Sequence, residues 1–172
     1  MKKFRTYIIA LVATVILSAA SINNPNIDFS GKWVIDLNKS DFGSAPHNLA
    51  YKQILVSQNP NSITIENLLT GKNGSDSSSV ETLTYDGKFS KTVLANTAHG
   101  IDTRFCTAAF ANDGRSLTIA ENHEINQSGV IGKFKVTEIW TLSESGNELI
   151  VKKTFVFTDS TITIKAVYSK LL

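Results

Sequence analysis

The chemistry in this chain resides in charged side chains at positions where an alternating strand pattern calls for apolar ones. From Phe134 the alternate positions run Phe134, Val136, Glu138, Trp140 and Leu142, and the next run repeats the habit with Leu149, Val151, Lys153, Phe155 and Phe157. A period of two with one mostly apolar face marks a half-buried strand. Ser143-Glu144-Ser145-Gly146-Asn147 supplies turn chemistry between the two runs. With Leu142 opposite Leu149, antiparallel counting sets Glu138 opposite Lys153, so one register accounts for both polar breaks. The expected contact is carboxylate to ammonium on an inner face. Because a buried charge is tolerated when it is paired, a structural ion pair is preferred over a ligand clamp.

A second hairpin adds to the set. With Ala111 opposite Ser116, across Asn112-Asp113-Gly114-Arg115, Phe110 meets Leu117, Ala108 meets Ile119, Cys106 meets Glu121 and Arg104 meets His123. If Leu117 and Ile119 face inward, then Arg104, Glu121 and His123 do too, whereas a slip of one residue turns both Arg104 and His123 outward. These groups with Glu138 and Lys153 would line one end of a cavity and meet a polar headgroup, with Phe134, Trp140 and Phe155 around the apolar part of the ligand. Tyr168, on the last strand, completes the candidate binding set.

Other chemistries find less support. His47, His99 and His123 have no metal-site spacing, and on a strand Glu121 and His123 share a face that Glu124 does not, so neither a metal nor a cofactor is expected. No nucleophile elbow, phosphate loop or dinucleotide fingerprint occurs, so no catalytic residue is assigned. The lone cysteine, Cys106, lies in the apolar run Phe105–Ala111 and reads as a buried, inert thiol.

The elements that must position these residues are short strands: Lys32–Leu37, Tyr51–Gln58, Ser62–Leu69, Val80–Tyr85, Lys88–Ala95, Thr103–Ala111, Ser116–Ile125, Lys133–Leu142, Glu148–Phe157 and Thr161–Lys170. Asn59-Pro60-Asn61, Asp86-Gly87, Asn112–Arg115 and Thr158-Asp159-Ser160 are hairpin-length connectors. Gly71–Ser79 and Asn96–Ile101 read as longer loops, and Asn38–Pro46 is too broken for more than a turn of helix. A succession of hairpins predicts an all-β fold, a single antiparallel up-and-down barrel of eight to ten strands, with a β-sandwich as the alternative. Trp33, near the start of the first strand, is read as structural core.

Residues 1–20 read as a cleavable signal peptide. Lys2, Lys3 and Arg5 precede an apolar run from Tyr7 to Leu17, and Ser18 and Ala20 stand at the cleavage spacing. The apolar run falls short of the ~20 residues that span a bilayer. Residues 21–28 read as a flexible tether and 29–172 as the barrel domain, long enough for one core without disulfides. The whole chain has 17 basic and 15 acidic residues. Three of the basic ones lie in the leader, so the remainder is close to neutral and offers no footprint for nucleic acid or, after leader removal, for a membrane. Export to the periplasm or outside the cell is expected, as a monomer.

Phe29-Ser30-Gly31-Lys32-Trp33 resembles the Gly-x-Trp opening of the calycin superfamily, and Val167-Tyr168-Ser169-Lys170 resembles its last strand. Leu37–Phe42 after that opening, together with Trp140–Gly146, resembles the secreted lipocalin-like proteins of bacteria, which are mostly uncharacterised. The resemblance implies a barrel with a hydrophobic interior, Trp33 at its closed end and a small hydrophobic or amphipathic ligand inside. The alternative is a non-catalytic structural or interaction barrel with a filled core. Two departures stand out: Asn38–Asn48 has no pattern for the helical pair of fatty-acid-binding proteins, and Ala166 stands where their carboxylate clamp has arginine.

Overall fold

The computed structural model describes residues 27–70, 75–97 and 100–171. The predicted leader and residues 21–26 of the predicted tether lie outside the described residues. Ten strands follow in order: β1 (Gly31–Ile35), β2 (Gln53–Gln58), β3 (Ser62–Thr70), β4 (Asp76–Thr84), β5 (Ser90–Thr97), β6 (Gly100–Phe110), β7 (Ser116–Gln127), β8 (Val130–Leu142), β9 (Glu148–Val156) and β10 (Thr161–Leu171). They form one antiparallel sheet in the order β4-β3-β2-β1-β10-β9-β8-β7-β6-β5. Pairing of β1 with β10 joins the two ends of the meander, and the sheet curls until β4 and β6 exchange side-chain contacts. The result is the expected up-and-down barrel, nearly closed, and one continuous sheet rather than a sandwich.

The seam lies between β4 and β5, the two edges of the sheet. Asp86-Gly87 between them was expected to turn a hairpin; Gly87 does take a positive φ of 73°, but no ladder joins the strands it connects. Strand lengths also differ from expectation. The Gly71–Ser79 loop is shorter, because Asp76–Ser79 already pair with Asn67–Thr70 as part of β4; 71–74 lie outside the described residues. Asn96–Ile101 is likewise mostly strand, shared between β5 and β6, with 98–99 outside the described residues. β7 and β8 run on past their expected ends to a two-residue turn, where Ser128 and Gly129 both take positive φ, 54° and 90°. That geometry matches the twist of the flanking strands.

Both predicted registers are present: Leu142 faces Leu149 and Glu138 faces Lys153, while Arg104 faces His123 and Cys106 faces Glu121. One end of the interior is packed with aromatic rings. Trp33 is fully buried and donates its indole N–H to the Phe29 carbonyl at 2.9 Å. Phe29 meets Trp140 edge-on at 6.0 Å and stacks with Phe110 at 6.3 Å, and Tyr85 meets Phe110 at 4.9 Å. Burying side chains of this size contributes on the order of 1.5–3 kcal/mol each. Glycine suits position 31, since its φ of 143° is one that L side chains rarely adopt.

The segment after β1 runs beside β10, where Asp41 and Lys165 exchange backbone hydrogen bonds of 2.8 Å. Its only helical element is one 3-10 turn, His47–Leu49, so there is no helical pair in this connection. Phe157, read from its spacing as inward, lies beyond the end of β9 and is 39% exposed; its ring stacks on Phe134 at 5.4 Å instead. Strand alternation stops where the ladder stops.

Candidate functional site

Toward the other end the inner face turns polar. On β6 the inward positions are Asp102, Arg104, Cys106 and Ala108; on β7 they are Leu117, Ile119, Glu121 and His123, all buried. Alternation along the strands thus delivers charged groups next to one another. They pair as a chain: Glu81 Oε2 accepts from Arg104 at 2.7 Å, Arg104 lies 3.7 Å from Glu121, Glu121 Oε2 meets His123 Nε2 at 2.9 Å, and His123 Nδ1 meets Asp102 at 2.9 Å. Acid and base alternate along it, with an acid at each end.

A second group stands beside it on β8 and β9. Lys153 Nζ lies 2.6 Å from Glu138 Oε1, and both are buried. Trp140 donates its indole N–H to Glu138 Oε2 at 2.8 Å, while Lys153 donates to the Tyr51 hydroxyl at 3.4 Å and sits 4.4 Å above its ring. The predicted inner-face ion pair is therefore present. With an indole and a phenol completing it, Glu138 is held by its own fold.

The electrostatics follow from these contacts. Burial opposes the charged form of His123, yet hydrogen bonds to Glu121 and Asp102 outweigh it and raise its pKa. With a carboxylate at each ring nitrogen, the surroundings favour the doubly protonated imidazole, and Phe134 stacks on it at 4.3 Å. Burial likewise opposes ionisation of Glu121, but His123, Lys153 and Arg104 lower its pKa overall. Burial works against the Lys153 ammonium too, and Glu138 overcomes it to hold the pKa above the usual range. Burial and the Glu121 carboxylate push the Cys106 thiol upward, so it stays protonated as expected of an inert core cysteine.

Between this polar floor and the barrel's end lies a cavity of about 630 Å³. Arg104, Glu121, His123, Lys153 and Phe155 from the candidate set line it, with Tyr51, Asn67, Leu69, Ser77, Ser79, Phe134 and Val136, and Asn48 and Leu49 from the 3-10 turn. Ser78 and Val93, on the two edge strands, also border it, so it reaches the seam between β4 and β5.

Three of the candidate residues do not reach the cavity. Glu138, Trp140 and Tyr168 are 2%, 1% and 1% exposed and belong to the packed interior beneath it. Strand spacing assigns a side, and it does not say how deep along the axis the filling ends. Strand spacing did not single out Asp102, Glu81, Asn67 or Tyr51. Asp102 lay within reach, since it is two residues before Arg104 and shares its face. It falls outside a strand taken to start at Thr103. Glu81 likewise stands two before the buried Leu83. Of the other histidines, His47 opens the 3-10 turn against Phe42, 4.6 Å away, and His99 lies outside the described residues.

No family model matches the chain, and no curated protein does. Among solved structures, zebrafish ileal bile acid-binding protein, crystallised with cholic acid, is similar at 13% identity over 83% of this chain and 98% of that one, with a TM-score of 0.47.

Proposed function

We propose that this protein is an exported, monomeric carrier that holds a small amphipathic molecule inside its barrel. The observation that carries this reading is the cavity of about 630 Å³, which joins apolar walls at Leu49, Leu69, Phe134 and Phe155 to a floor of ionised groups. Pockets of this size, mostly apolar with a few converging polar groups, suit ligands whose two ends differ. Burial of the apolar part would supply ~25 cal/mol per Å². A filled core, the main rival, describes only the aromatic end.

Catalysis is the weaker reading of the same groups. An imidazole with both nitrogens engaged by carboxylates has no lone pair to accept a proton, and Cys106 stays a thiol. The test is titration of the protein with a neutral lipophilic fluorophore, with Leu69→Trp as the control. Saturable binding that the cavity-filling tryptophan abolishes supports the carrier. Absence of binding, or binding unchanged in that variant, refutes it. Export rests on the N-terminal pattern of Lys2, Lys3, Arg5 and the apolar run. N-terminal sequencing of protein recovered outside the cytoplasm should begin at Ser21.

A further inference from the structure

The interior is not neutral in its composition, and the imbalance says which end of an amphiphile it should prefer. Among the described residues, the buried carboxylates are Glu81, Asp102, Glu121 and Glu138, against the basic side chains Arg104, His123 and Lys153. Glu138 and Lys153 offset each other, so the excess acid belongs to the chain that begins at Glu81 and ends at Asp102. Each basic group already has a carboxylate within 4.0 Å: Arg104 has Glu81 and Glu121, His123 has Glu121 and Asp102, and Lys153 has Glu138. A ligand carboxylate would have to displace one of these internal partners.

An unused acceptor lies elsewhere. Asn67 Oδ1 is buried and finds no hydrogen-bond partner among the described residues, whereas Glu81 takes hydrogen bonds from Arg104 and the Cys106 thiol and lies behind the cavity wall. Asn67 is only 7% exposed and lines the cavity. It pairs with Ser79 across β3 and β4, while Ile65 pairs with Glu81, so Asn67 and Glu81 are diagonal neighbours on one inner wall. Ser77 and Ser79 place further hydroxyls on that wall. Buried acceptors left unpaired are costly, and a cationic donor answers them more strongly than a neutral one.

We infer that the ligand is an amphiphile with a cationic nitrogen headgroup, an alkylammonium or its equivalent, seated on the β3–β4 wall at Asn67, with the buried Glu81 behind it and its apolar part against Leu69, Phe134 and Phe155. This rests on the carrier reading and narrows it to a chemical class. Positive charge is needed there because the floor carries one more acid than base. An N–H donor is needed because the free atom on that wall is the Asn67 amide oxygen.

The test is calorimetric titration of the protein with dodecylamine, dodecanol and dodecanoate, each below its micelle concentration at neutral pH. Dodecylamine is expected to bind at least about tenfold tighter than the other two. Asn67→Leu should erase that preference, and Asn67→Asp should enlarge it, which keeps the test alive if the leucine variant does not fold. Equal or tighter binding of dodecanoate or dodecanol overturns the cationic class and leaves the carrier standing. Preference for the amine that neither variant alters overturns the assignment to the β3–β4 wall. Failure of all three to bind overturns the carrier reading and this inference together.

Discussion

The two halves of this barrel are built on the same ten strands with the same alternation, yet their interiors differ in kind. Around Trp33, Trp140, Phe29 and Phe110 the inward positions are apolar, and the space is filled by interlocking rings. Around Arg104, Glu121 and His123 the charged inward groups pair with oppositely charged neighbours instead of packing as interlocking rings. A cavity is left above them. The difference assigns labour. Apolar packing at one end supplies the stability that lets the other end hold charges and open space, since buried ion pairs are weak contributors to stability in their own right.

The comparison breaks most visibly if both ends respond alike to truncation. Trp140→Ala removes a ring in contact with Phe29 and strips Glu138 of its indole donor, so a loss of about 3–5 kcal/mol is expected. Leu69→Ala, on the cavity wall, removes a half-buried side chain beside space that already exists and should cost less than about 2 kcal/mol. Urea denaturation of the two variants checks this. Equal losses would mean that the cavity end is packed as tightly as the aromatic one.

Next in size is the ion pair at the border. Lys153→Met leaves Glu138 buried without its cation and should cost about 3–4 kcal/mol, whereas Glu138→Leu combined with Lys153→Met should recover most of that loss. The recovery is the informative part. A double variant as unstable as the single one would show that the pair secures the border by geometry, through Tyr51 and Trp140, more than by charge compensation.

How much of this was legible in the sequence follows the same division. Strand alternation and turn residues located all ten strands, and counting from Leu142–Leu149 and Ala111–Ser116 fixed both registers, because a one-residue slip would have exposed Trp140 or Leu117. What alternation cannot convey is contact between strands far apart in sequence. The Arg104–Glu81 pair crosses the seam between the sheet's two edges, and no hairpin count links those residues. For the same reason the depth of the cavity was illegible. Trp140, Tyr168 and Phe155 are equivalent by spacing, and only the closed three-dimensional surface shows that Phe155 alone of the three reaches it.

The smallest expected effect distinguishes the halves by pH. His123 has a pKa raised above its ordinary 6.5 by Glu121 and Asp102, so its contribution to stability is fully present below that value and is lost as pH rises through the raised one. Glu121 has a pKa lowered from its ordinary 4.5, so its contribution is present above 4.5 and is lost as pH falls through the lowered one. Both are complete between about 4.5 and 6.5, and stability should decline on the alkaline side first. Urea midpoints measured from pH 5 to 9 should stay level to about pH 6.5 and fall above it for the wild-type chain, and should flatten in His123→Gln, which keeps a hydrogen-bond donor but cannot titrate. Trp140→Ala should keep the wild-type slope at a lower midpoint, because the aromatic end holds no group that titrates there. A wild-type midpoint that rises between pH 7 and 9, or a slope that His123→Gln leaves untouched, would show that the imidazole is not held as a cation between its two carboxylates.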